Sequence, residues 1–228
     1  MCIRDRVGVF EISQTSGGGL GGMELTGVFD TTIISKTAVG GGLFDLQFGS
    51  TAGGLFGNAD ANGAAPGSGT GDAVRFYLDG TDDLDLVTGG TNCASLVNCL
   101  NNAGYFSAAT ASYFSLGFTG DADELWEADD VFDNASTLLL VPGVSLAGTF
   151  KNALSLTANN TGQQFGQIAC IAGFNCAAGG DGMVDWLGSG TVLGGLGLGA
   201  GIIADGAFGR SDFDGALAPI PELSLIHI

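Results

Sequence analysis

Apolar and polar residues alternate along many short stretches of this chain, a pattern typical of strands with one buried face. In Leu43–Phe48, for example, Phe44, Leu46 and Phe48 share one side. The same alternation occurs at 23–30, 74–78, 114–118, 144–156, 165–171, 190–198, 201–204 and 208–213. Turn-forming stretches rich in Gly, Asn, Asp and Ser lie between them. The pattern predicts an all-β fold, a single antiparallel β-sandwich or barrel-like domain with Gly/Asn/Asp-rich loops.

Helical periodicity is scarce. The best candidate is 121–134, where Asp121 could cap a helix and Glu124 could complete a capping box. Its seven carboxylates, with no cation among them, count against that helix. Ser95–Asn101 could form a single turn, so we expect at most one or two short helices. The 42 glycines make a β-solenoid the alternative architecture, but no fixed repeat period supports it.

The two ends of the chain resemble translated transposase adapter sequence from the preparation of sequencing libraries. Met1–Arg6 and Leu223–Ile228 are what the two complementary strands of such an end encode. We therefore expect natural sequence only from Val7 to Glu222, and treat residues 1–6 and 223–228 as adapter-derived. The β domain is expected over 7–218.

Charge and histidine content narrow the possible functions. The formal net charge is −18, and Val7–Glu222 contains four basic residues, Lys36, Arg75, Lys151 and Arg210. So acidic a chain repels phosphate backbones, and we expect no nucleic-acid partner. The only histidine is His227, so mechanisms that need an imidazole are not expected. No apolar run reaches the ~18 residues of a membrane span.

Four cysteines occur within Val7–Glu222, in two pairs of identical spacing: Cys93 with Cys99, and Cys170 with Cys176. An even number in such a chain predicts two disulfides and an oxidising compartment. Three connectivities are possible, of which the local one (93–99, 170–176) is the simplest. Four buried free thiols are the alternative.

Two acidic clusters could bind calcium, which prefers several carboxylate and carbonyl oxygens. The first, Asp79, Asp82, Asp83 and Asp85, follows a predicted strand and is the preferred candidate. The second contains the seven acids of 121–134. Neither has the spacing of an EF-hand, and solvated acidic turns are the alternative interpretation. Paired carboxylates also occur in glycosidases, but chance would produce such a pair here.

Ile220, Pro221 and Glu222 follow the last predicted strand. In this position, after an acidic, Gly-rich β domain, the segment resembles the start of the PEP-CTERM sorting signal. Members of that family continue with a second proline, an apolar helix and a basic cluster. Trp186–Gly190, together with the Gly-rich strands, is also similar to flocculation-associated members.

This resemblance implies a non-enzymatic protein exported to the cell surface or extracellular matrix of a Gram-negative bacterium. Its implied partners are an exosortase-type sorting peptidase and extracellular polysaccharide, in which it would have a structural or adhesive role. A secreted calcium-dependent carbohydrate-binding module is the first alternative. A secreted glycoside hydrolase is the second.

Overall fold

A computed structural model of the protein describes residues 5–12, 23–58, 71–80, 84, 96–106, 112–131, 147–194 and 209–220. These residues form a mostly antiparallel β structure with one seven-residue helix, α1. The predicted all-β class is therefore confirmed. In the described ranges, no helix has the length and hydropathy needed to cross a bilayer.

Twelve strands lie in these ranges; ten of them belong to one sheet, and β9 and β10 pair separately. The strands are β1 (Asp5–Ile12), β2 (Glu24–Gly40), β3 (Leu43–Ser50), β4 (Gly71–Asp79), β5 (Phe114–Phe118), β6 (Leu125–Val131), β7 (Ala147–Asn159), β8 (Phe165–Gly166), β9 (Ile168–Ala169), β10 (Met183–Val184), β11 (Trp186–Gly194) and β12 (Gly209–Pro219). The helix α1 (Leu96–Asn102) lies where a single turn was predicted. Strand β6 occupies part of the helical candidate 121–134, so that helix is wrong in this part.

The strand registers describe a meander in which two strands are interrupted. Strand β1 pairs with residues 25–32 of β2, while β4 pairs with 24–29 and β3 with 31–40. Since a strand has only two edges, β3 and β4 lie end to end along the edge that β1 leaves free. Strands β5 and β6 likewise follow one another between this interrupted strand and β7. Strands β11, β12 and β8 extend the sheet beyond β7.

One face of the sheet carries the main core. Its centre includes Leu25, Phe76, Leu116, Leu154 and Trp186, all at most 8% exposed. The ring centroids of Phe76 and Trp186 lie 5.8 Å apart, although β4 and β11 are separated by three strand spacings. Three spacings in a flat sheet are roughly 14 Å. The sheet therefore curls around this face, as in a sandwich- or barrel-like fold.

Inserted segments cover the opposite face. Residues of α1 and of the segment 51–58 pack on Val28 and Tyr77, which alternate with the core residues of β2 and β4. Farther along the sheet, Cys176, Ala177 and Val184 pack on residues of β6 and β7. Because both faces are covered, β2 has buried residues on each side over its first half.

Candidate functional site: a cleft where two strands are interrupted

The two interruptions lie side by side in the sheet. Gly71, the first residue of β4, pairs with Phe118, the last residue of β5, and Gln47 pairs with Glu127 beyond the gap. At such a gap, backbone groups lose their ladder partners and must be satisfied by other groups. Buried polar residues collect here, namely Asp30, Thr31, Ser50, Thr51, Glu124 and Ser155.

Asn58 replaces part of the missing ladder. Its Nδ2 donates to the carbonyl oxygens of Thr51 (3.0 Å) and Asp72 (2.9 Å), and its Oδ1 accepts from the Asp72 N–H at 3.0 Å. The side-chain amide thus ties the end of β3 to the start of β4. A β-carbon at Gly71 would collide with this amide, and Gly71 also has φ 147°, so glycine is required there.

An open cleft of about 540 Å³ lies at this junction. Small-molecule sites in proteins are typically about 300–1,000 Å³. The polar and aromatic side chains along it belong to Phe56, Asn58, Asp72, Arg75, Phe118, Thr119 and Thr157. They come from the segment after β3, from β4, from the end of β5 and from β7. The cleft is therefore assembled from segments distant in sequence.

Arg75 is held in a defined orientation. Its Nε donates to Asp72 Oδ2 at 2.6 Å, and its Nη2 donates to the carbonyl oxygen of Phe56 at 3.1 Å. The guanidinium carbon also lies 4.6 Å from the centroid of the Phe56 ring. Asp72 is in turn fixed by Thr157, whose hydroxyl donates to Oδ1 at 2.6 Å. The Arg75 side chain still keeps 29% of its surface exposed.

Tyr77 lies next to Arg75 on the same face of β4. Burial raises the pKa of Tyr77 to about 12, although Arg75 acts in the opposite direction. The hydroxyl therefore stays protonated across the physiological range. It contributes a neutral polar group beneath the guanidinium.

Glu124 closes the second interruption. Its carboxylate accepts hydrogen bonds from Thr119 N–H (2.7 Å), Thr119 Oγ1 (2.8 Å) and Gly120 N–H (3.1 Å). The side chain is fully buried. Burial raises the pKa of Glu124 above its ordinary value, and the hydrogen bonds only partly oppose this shift. The residue anchors the turn between β5 and β6.

A disulfide joins Cys170 and Cys176, which confirms this part of the predicted pairing. Cys99 is also disulfide-bonded, while Cys93 lies outside the described residues.

Oδ2 of the fully buried Asp123 accepts from Gly182 N–H at 2.9 Å, which holds the disulfide-containing segment against the turn before β6. One carboxylate oxygen of Asp123 lies within 4.8 Å of both sulfurs. Because the sulfurs are bonded to each other, they are not thiolate ligands for a metal.

The preferred calcium candidate falls mostly outside the described part of the chain. Asp79 is the last residue of β4, where its backbone pairs with Glu24, and Asp82, Asp83 and Asp85 are not among the described residues. In the second cluster, Asp123 and Glu124 are buried hydrogen-bond acceptors. Oε2 of Glu127, also in this cluster, lies 3.2 Å from Nζ of Lys151.

Of the segment 220–222, for which a sorting signal was predicted, Ile220 is described and Pro221 and Glu222 are not. The Ile220 N–H donates to the carbonyl oxygen of Gln164 at 2.8 Å, which extends the pairing of β12 with β8 by one residue. Its side chain is 50% exposed.

The sequence interpretation missed the cleft. Arg75 had one usable signal, its rarity among so many acids, whereas Asn58 and Thr157 had none. No family model, curated protein or solved structure matches this chain.

Proposed function

We propose that the protein is an exported, non-enzymatic component of the cell surface or extracellular matrix with a structural or adhesive role in exopolysaccharide. The Cys170–Cys176 disulfide is the observation that carries this proposal. Disulfides persist in oxidising compartments and are rare in the cytosol. A domain with Cys99 also in a disulfide and with so acidic a sequence suits the periplasm and the cell exterior.

Sorting by an exosortase-type peptidase is the second part of the proposal. Under it, the segment that begins at Ile220 is the start of a PEP-CTERM-like signal. The exposed Ile220 side chain supports this, because a peptidase needs access to the chain that follows the domain. The backbone of Ile220 is still tied to Gln164, so the paired part of the domain would extend to the first residue of the signal.

The adhesive part rests on the cleft. It presents an oriented cation and side-chain hydroxyls at the sheet surface, which are groups that recognise a polar ligand such as a saccharide. Among the described residues that line it, the one carboxylate, Asp72, is held by Arg75 and Thr157. This arrangement suits binding better than proton transfer.

The gene in its native genome tests the sorting proposal. We expect the codons after Glu222 to encode proline, an apolar stretch and an Arg-rich end. A continuation without them would contradict the sorting part.

Cell fractionation tests export directly. An antibody against the β domain should detect it at the surface or in the matrix, with Cys170 and Cys176 protected from alkylation until a reductant is added. Detection in the cytosol with free thiols would contradict export.

A further inference from the structure

We propose that the cleft binds the carboxylate of an acidic saccharide, a uronate unit of a polysaccharide, through the guanidinium of Arg75. This inference rests on the proposed role in exopolysaccharide and specifies its ligand.

Arg75 retains hydrogen-bond donors for such a ligand. A guanidinium has five N–H donors in a planar fork that matches a carboxylate. Within the described part of the chain, Asp72 accepts from Nε and the Phe56 carbonyl accepts one Nη2 hydrogen. Even with one further hydrogen directed at the neighbouring Tyr77, two of the five donors are left on a side chain that is still partly exposed in the cleft.

The arginine is also preorganised. Its contacts with Asp72 and Phe56 fix the guanidinium before any ligand arrives, and Thr157 and Asn58 fix Asp72 itself. Little side-chain entropy would then be lost on binding, which favours affinity.

The apolar side chains that line the cleft favour recognition of a charged substituent of the sugar over stacking of the sugar ring on an aromatic side chain. Phe56 and Phe118 are 8% and 7% exposed, so neither offers a free ring face to a sugar. The hydroxyl oxygens of Thr119 and Thr157 can accept hydrogen bonds from sugar hydroxyls beside the guanidinium. Asp72 pairs with the guanidinium and the chain has a net charge of −18, so recognition of the carboxylate depends on the directed N–H donors of Arg75 and not on a positive charge of the cleft as a whole.

The test measures binding of a defined hexuronate oligosaccharide to the purified protein by calorimetry and ligand-observed NMR. The methyl ester of the same oligosaccharide has no charge and serves as the matched ligand control. We expect the acid to bind at least about tenfold more tightly than the ester, because charge-assisted hydrogen bonds are lost on esterification. Acetate and the corresponding monouronate separate simple carboxylate binding from recognition of a saccharide. Acetate should bind far more weakly than the monouronate.

Arg75→Gln should weaken binding of the acid by about tenfold or more. Lys36→Gln removes the same charge at an exposed position outside the cleft and should change affinity less than about twofold. Melting curves and far-UV circular dichroism establish that each variant is folded. If Arg75→Gln does not fold, the proposal is tested by the affinities of the acid and of its methyl ester for the wild-type protein.

Equal binding of acid and ester, or no binding of either, would overturn this inference and leave export and sorting untouched. Acetate binding as tightly as the monouronate would also overturn it. A cytosolic location would instead overturn the proposed function, whatever the binding data show.

Discussion

The ring of Phe10 lies over Gly27, its cross-strand partner on β2, in the space where a β-carbon would stand. From there it reaches Phe76 on the next strand, with ring centroids 5.3 Å apart in an edge-to-face arrangement. Phe29 covers its cross-strand partner Gly8 in the same way, and Trp186 covers Gly215, which lies diagonally opposite on β12. Some of the many glycines in the strands therefore serve to seat aromatic rings against the sheet, an arrangement that compensates for the missing side chain.

Gly27→Ala should destabilise the protein by roughly 1–3 kcal/mol, because the new methyl group displaces Phe10 from its contact with Phe76. Gly80→Ala is the matched control, since no atom of the described residues lies within 4 Å of the β-carbon position at Gly80. Its effect should stay within about 0.5 kcal/mol. Urea unfolding of the three proteins checks this, and equal stabilities for the two variants would contradict it.

The strands could be predicted because alternation survives even where glycine replaces larger residues. Strands β3, β4 and β5 begin or end within a few residues of the predicted 43–48, 74–78 and 114–118. The helix predicted at 121–134 is wrong over β6, because the capping pattern of Asp121 and Glu124 also fits a turn followed by a strand. Pairing of β6 with β3 and β7 favours the strand.

The cleft could not be predicted, because it depends on two interruptions that are aligned only in the folded sheet. Asn58, Asp72 and Thr157 come together from positions up to 99 residues apart. Asp123 shows the same limit for charge. It belongs to an acidic cluster for which a calcium site or solvated turns were predicted, yet its side chain is fully buried beside the disulfide. Burial of a single carboxylate depends on tertiary packing, which local patterns do not encode.

Replacement by valine should have different effects on stability at two buried threonines. Thr26 Oγ1 donates to the Ala103 carbonyl oxygen at 2.9 Å, so Thr26→Val should cost about 1–2 kcal/mol. Thr51 Oγ1 is buried and has no hydrogen-bond partner among the described residues, so Thr51→Val should be neutral or stabilising. Thermal and urea unfolding of both variants measures the contrast. A loss at Thr51 as large as that at Thr26 would indicate an ordered water on its hydroxyl.

The Cys170–Cys176 disulfide should stabilise the domain by roughly 2–3 kcal/mol, mainly because it restricts the unfolded chain. Replacing both cysteines with serine should therefore lower the urea midpoint, while the Cys99 disulfide stays intact. Peptide mapping without reductant should recover residues 170 and 176 in one cross-linked fragment. An unchanged midpoint in the double variant would contradict this expectation and would mean that packing on β6 and β7 and the hydrogen bonds to Asp123 suffice for this segment.

Glu124 should make stability depend on pH in a defined direction. Burial raises its pKa in the folded state above the ordinary value of 4.5 that applies in the unfolded chain. The folded protein therefore binds the proton of Glu124 more tightly than the unfolded chain does. The resulting contribution to the free energy of unfolding is fully present below pH 4.5 and declines as pH rises through the raised pKa. Glu124→Gln removes the titration, although its amide also faces the Gly120 N–H and adds a penalty that does not vary with pH. The decisive quantity is thus the slope of the difference in unfolding free energy, wild type minus Gln variant, measured by urea unfolding at a series of pH values. We expect this difference to fall as pH increases above 4.5, and a rising difference would mean that the hydrogen bonds from Thr119 and Gly120 outweigh burial.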